Sequence, residues 1–149
     1  MSEQDVEALR ALYGAFNRCE IEPLLDRFDP EIEVEETEDL GYAALLLRVL
    51  GPRFVILSGR YQGIEEVRRL FESVWEIAEW FRVKPLDFVE AERRVVVSLR
   101  MEAKAKDTGI VGEALAVHLW RMREGRGLRL QVYADVESAI SAARAQNVV

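Results

Sequence analysis

The chain has one histidine, His118, and it lies in "LAVHLWRMREGRGLRLQVYAD" (115–135), which also carries Trp120, Tyr133 and Asp135. An imidazole is the side chain whose ordinary pKa suits acid or base work near neutral pH. A tyrosine or a carboxylate beside it would orient its proton. A second candidate is Glu36, in "EVEETED" (33–39). Partly desolvated, a glutamate there could take a proton next to a carbonyl; fully solvated, it is one acid in an acidic run. Asp135 has two readings as well. It could handle a proton, or it could cap the helix that "VESAISAARAQ" announces, accepting the backbone N–H two or three residues on.

Other chemistry is excluded early. Cys19 is the only cysteine, which rules out an internal disulfide and a cysteine-based zinc site. Its place at an expected helix end argues against a nucleophile. Net charge is −7, so nucleic acid is not an expected partner. The charge is uneven: residues 1–40 hold thirteen acids and three bases, residues 93–129 nine bases and four acids. That asymmetry could orient two subunits, attract an anion, or simply be solvated. The longest uncharged apolar run, "LGYAALLL", is far too short to span a membrane, which needs about 20 residues. The N-terminus is charged within three residues and has no apolar core of a secretory signal, so a cytoplasmic address is the default expectation.

These residues need elements to hold them. Val6, Leu9, Leu12, Tyr13 and Phe16 recur at helical spacing, and Ile21, Leu24, Leu25 and Phe28 suggest a short second helix stopped by the "DP" at 29–30. "EIEVEE" alternates with the period of a strand. Residues 37–62 read as an extended insertion: a helix capped by Asp39 and ended at Gly51-Pro52, then a short strand, serving as a lid or a dimer arm. The stripe Ile64, Val67, Leu70, Phe71, Val74, Ile77, Ala78 and Phe81 predicts a helix of five turns. Strands follow at about 82–91, 93–106, 110–123 and 127–134, with turns at "AERR", "DTG" and "EGRG". Helices first and hairpins last argue one α+β domain over 1–149 with a mostly antiparallel sheet and a short C-terminal helix.

The last hairpin decides which way His118 looks. A two-residue turn at Gly125-Arg126 would pair His118 with Tyr133, Trp120 with Gln131, and Ala116 with Asp135. One face would then carry His118, Trp120, Met122, Gln131, Tyr133 and Asp135, and the other Leu115, Val117, Leu119, Leu128, Leu130, Val132 and Ala134. Tyr13, Phe71 and Trp75 join Trp120, Tyr133 and Asp135 as candidate pocket residues, although helix aromatics are commonly plain core. Arg100, Glu102, Lys104 and Lys106 alternate with Leu99, Met101, Ala103 and Ala105, giving a charged outer face.

The phrases "LRALYGAFNRCEIEPLLDRFDPEIEVEE", "GRYQGIEEVRRLFESV" and "RRVVVSLRMEAKAKDTGIVGEALAVHLWRMREGRGLRLQVYAD" together resemble the SnoaL-like branch of the nuclear transport factor 2-like superfamily. The resemblance implies a cone: a strongly curved sheet wrapped round three main helices, with a pocket between them, usually in a homodimer formed through the sheet. It also implies chemistry without metal or organic cofactor, on a small apolar ligand, in a group that includes polyketide cyclases, ketosteroid isomerases, epoxide hydrolases and proteins that only bind. Against ketosteroid isomerase, "VEET" (34–37) places Glu36 at the base, but Leu12 falls where a tyrosine donor belongs, with Tyr13 one step off, and Val117 where the second acid belongs. Against the epoxide hydrolases, Arg100, Arg129 and Asp135 find no register. Against the cyclases, His118 has a counterpart and its carboxylate has none. Two functions follow: a cofactor-free isomerase, cyclase or hydratase using His118 with Glu36 or Tyr133 as acid and base, or a non-catalytic ligand-binding or dimerisation protein.

Overall fold

The computed structural model describes residues 3–36 and 59–146. The expected helix and strand of 37–58, and the lid or dimer arm they would form, lie outside those residues.

Helical spacing builds α1 (Glu3–Asn17), which buries Leu9, Leu12, Tyr13 and Phe16. It stops in a Schellman arrangement, with Cys19 N–H donating to Phe16 O at 3.0 Å and Glu20 N–H to Ala15 O at 3.0 Å. Cys19 takes the left-handed conformation there, φ 57°, where glycine is the usual residue. The lone cysteine is a helix stop. The short α2 (Ile21–Leu25) ends before Phe28, which is not helical as the "DP" signal suggested but opens β1 (Phe28–Glu36).

After β2 (Arg60–Gln62), α3 runs from Ile64 to Ile77 and ends a turn earlier than its apolar stripe predicts. From Ala78 the chain is already β3 (Ala78–Ala91), so Trp80 and Phe81 are strand residues, paired with Lys104 and Ala103 of β4 (Arg94–Ala105). β5 (Val111–Arg123), β6 (Arg126–Tyr133) and α4 (Val136–Gln146) complete the order. The sheet runs β2-β1-β6-β5-β4-β3; every neighbour pair is antiparallel except β1 with β6. Its inner face closes over α1, α2 and α3 in one core. The outer face buries Val96, Val117 and Leu119 under Ala139 and Ala143 of α4.

At the edge, Asn17 behaves as a piece of strand: its amide donates to Val83 O at 2.9 Å and its carbonyl accepts from Val83 N–H at 2.7 Å. That joins the end of α1 to β3 and satisfies two groups the sheet leaves open. Pro85, in the same strand, has no N–H to satisfy.

The final hairpin turns at Glu124-Gly125, with φ 52° and 76°, one residue before the turn expected from sequence. Arg123 then faces Arg126 and Met122 faces Gly127, but beyond Leu128 the register shifts and Arg121 faces Arg129. Leu128 is the extra residue of a β-bulge. From there His118 faces Val132 and Trp120 faces Leu130, not Tyr133 and Gln131. A shift of one residue exchanges the faces, because successive side chains alternate. The expected polar-aromatic face is therefore divided: His118 and Trp120 go inside with Leu130 and Val132, while Gln131 and Tyr133 go outside with Val117 and Leu119.

Candidate functional site

The inner face of the sheet and the helices line a cavity of about 110 Å³. α1 contributes Leu12, Tyr13 and Phe16, α3 Leu70, Phe71 and Val74, and β3 Phe81 and Val83. Leu24, Phe28, Val34, Met101, Leu130 and Val132 complete the apolar wall, and His118 and Trp120 of β5 bring the remaining polar atoms.

Three of those side chains form one buried network. Trp120 Nε1–H donates to the Tyr13 hydroxyl at 2.8 Å. The same hydroxyl stands 2.8 Å from His118 Nδ1. The Tyr13 and His118 rings stack with centroids 5.8 Å apart, and Trp120 meets Tyr13 edge-on at 6.4 Å. Trp120 can hold this position because residue 127 is glycine: a Cβ there would lie 2.6 Å from Trp120 Cζ3. The bulge beside it and the missing side chain thus act together to seat the indole.

Burial sets the protonation of the pair. Desolvation pushes the His118 pKa down to about 3, so the ring is neutral. Burial also raises the Tyr13 hydroxyl well above the ordinary phenol range, against a smaller opposing effect of the bond from Trp120. A neutral imidazole with so low a pKa is a poor proton acceptor at physiological pH, and a phenol held this firmly is a poor acid. The wall consequently offers hydrogen bonds without charge. Among the described residues no group of three or more His, Cys, Asp or Glu side chains converges to hold a metal ion.

The residues singled out from sequence fare differently. His118, Tyr13, Phe71 and Trp120 meet at the cavity. Trp75 stands behind Phe71, its ring centroid 6.2 Å away, and packs on Phe16; its Nε1 is buried without a hydrogen-bond partner among the described residues. Tyr133 is not a pocket residue, since the register places it on the outer face against the α4 cluster. Asp135 is not one either: its carboxylate accepts the Ser138 N–H at 2.7 Å at the start of α4, and that bond holds its pKa below the usual range. Val117, which the isomerase comparison sets where the second acid belongs, lies under α4. The tyrosine beside His118 is thus Tyr13, from the other end of the chain, and not Tyr133. Glu36 closes β1 opposite Val132 of β6. Arg129 pairs with Glu35 at 3.2 Å, and neither it nor Arg100 lines the cavity.

Sequence reasoning weighed Phe81 as core or ligand platform on a helix, and did not single out Phe16, Phe28, Val83 or the aliphatic wall as cavity residues. The alternation of Phe81 and Val83 with Arg82 and Lys84 was the available signal for that pair.

Residues 9–129 match the family model described as the SnoaL-like domain. No functionally curated protein matches the sequence. Solved structures share the fold. TerC, co-crystallised with polyporic acid, aligns with a TM-score of 0.69 and 24% identity over 95% of this chain and 99% of its own. An NTF2-like protein of unknown function from Burkholderia pseudomallei gives 0.69 and 23% over 95% and 97%. A Mycobacterium tuberculosis protein in complex with estradiol-17β-hemisuccinate gives 0.68 and 13% over 91% and 97%. At these identities the likeness establishes the fold, and the reaction stays open.

Proposed function

Because the chain belongs to the SnoaL-like domain family, we propose that it binds a small, neutral, apolar molecule in the cavity behind Tyr13 and His118. The observation that carries this reading is an uncharged hydrogen-bonding network set into an otherwise apolar buried wall, the usual make-up of a small-molecule site. Relatives of the same fold crystallised with polyporic acid and with estradiol-17β-hemisuccinate support small-molecule binding. The space sets a scale. An apolar cavity of roughly 150 Å³ takes benzene, so about 110 Å³ suits a single ring, and a larger ligand requires the wall to move.

Saturable binding of cyclopentane or benzene, read through tryptophan fluorescence, tests the reading. Val132→Phe should fill the space and abolish it. Undiminished binding to that variant would place the ligand elsewhere.

A catalytic reading, as a cofactor-free isomerase, cyclase or hydratase, rests on Glu36, whose backbone ends β1 opposite the cavity residue Val132. With a compound that turns over, Glu36→Gln should lower kcat by about 10²-fold or more. Unchanged turnover would remove the glutamate from the mechanism.

The outer face supports pairing of two copies. Leu115 is 64% exposed and Val111 59%, on β5 beside Arg100 and Lys104 of β4. Light scattering at micromolar concentration should give twice the chain mass, and the mass of a single chain would end the dimer reading.

A further inference from the structure

Resting on that reading of the cavity, we infer that its polar wall has a fixed proton order, Trp120 to Tyr13 to His118. This order leaves His118 Nε2–H as the donor offered to the ligand, and the ligand group it selects is a neutral oxygen acceptor: a ketone, quinone or ester carbonyl.

The order follows from counting donors. An indole N–H can only donate, so Tyr13 oxygen accepts from Trp120. The contact between the Tyr13 hydroxyl and His118 Nδ1 then has two possible directions. If Tyr13 donates, Nδ1 is the bare nitrogen and Nε2 carries the proton. One group, Nε2–H, is left over. If His118 donates through Nδ1–H, Tyr13 oxygen accepts twice, its own hydrogen has no partner, and the Nε2 lone pair has none either. Two polar groups are then left over in an apolar enclosure. Since each unmet buried polar group is costly, the first arrangement is the ground state. Donation from Trp120 also strengthens the Tyr13 hydroxyl as a donor, which favours the same direction.

Among the described residues His118 makes no hydrogen bond through Nε2. The cavity is the space its ring lines. A carbonyl oxygen there satisfies the single open donor. A ligand that can only donate, such as a pyrrole N–H, finds no acceptor unless the Tyr13–His118 bond reverses and bares the Nε2 lone pair.

The single histidine makes the test clean. In a long-range ¹H–¹⁵N correlation spectrum of the full chain at pH 7, Nδ1 should resonate as a pyridine-type nitrogen and Nε2 as a pyrrole-type one. A protonated Nδ1 in the free protein overturns the order. Cyclopentanone and cyclopentane then separate acceptor from shape. Cyclopentanone should move the Nε2 resonance at least threefold more than cyclopentane at equal occupancy, with the tautomer kept. Transfer of the proton to Nδ1, or equal shifts from the two rings, overturns the acceptor assignment. If neither ring enters, the cavity reading and the acceptor assignment fall together, while the tautomer of the free protein still decides the proton order.

Discussion

Acidification from pH 8 to pH 5 should cost the fold about 2 kcal/mol through His118 alone. Burial holds its pKa at about 3 in the folded protein, against 6.5 as the ordinary value. The unfolded chain therefore takes up a proton below pH 6.5 that the folded chain refuses until near pH 3. Because the folded pKa is the depressed one, the contribution is fully present above pH 6.5 and is lost as pH falls from there toward 3. At pH 5 the loss is RT ln(1 + 10^1.5), about 2 kcal/mol, and it does not depend on the exact folded value as long as that lies below about 4. Carboxylates titrate in the same range, so the informative quantity is a difference between proteins. Urea unfolding followed by tryptophan fluorescence at pH 8, 7, 6 and 5 should be run on the natural chain and on His118→Asn. The variant starts less stable, having lost a packed ring, and the gap should narrow by about 2 kcal/mol at pH 5. A constant gap would mean that the ring protonates in place, and the argument from burial would be wrong.

Three further outcomes are expected. Gly127→Ala drives a methyl group into Trp120 and should cost about 1–3 kcal/mol; adding Trp120→Phe should recover part of it, and strictly additive losses would show that the two do not meet. Asn17→Ala removes both bonds to Val83 and should lower stability by about 1–2 kcal/mol in urea titrations, while an unaffected protein would show the α1–β3 clip to be idle. Asp135→Ala should speed amide exchange at Ser138 and leave cavity binding unchanged; altered binding would restore Asp135 to the site.

The sequence shows the site's parts more readily than their arrangement. Tyr13, His118, Phe71 and Trp120 each stand out as amphipathic or aromatic residues in periodic segments, and all four line the cavity. Their meeting is another matter, because 105 residues separate Tyr13 from His118 and the contact depends on the parity of one hairpin. That parity turns on Leu128, an apolar residue that looks like any other strand position, and the local mark beside it, Gly127, also reads as part of the "EGRG" turn. The end of α3 was hidden for a related reason. Ile77, Ala78 and Phe81 continue a helical spacing, and only pairing along β4 makes a strand of them. The spacing of α1, the alternation in β4 and the capped start of α4 are local, and they were legible.

The edge held by Asn17 bears on what this protein does in a crowded cell. β3 is fourteen residues long and closes one side of the sheet. A long open edge is a template on which another chain can add a strand, the first step toward aggregation. Here Val83 is already occupied by Asn17, Pro85 has no hydrogen to offer, and Glu79, Arg82, Lys84 and Asp87 put charge along the rim. At the other side of the described sheet, β2 is three residues long and gives little purchase. Growth by strand addition is thereby discouraged at both edges of the described sheet.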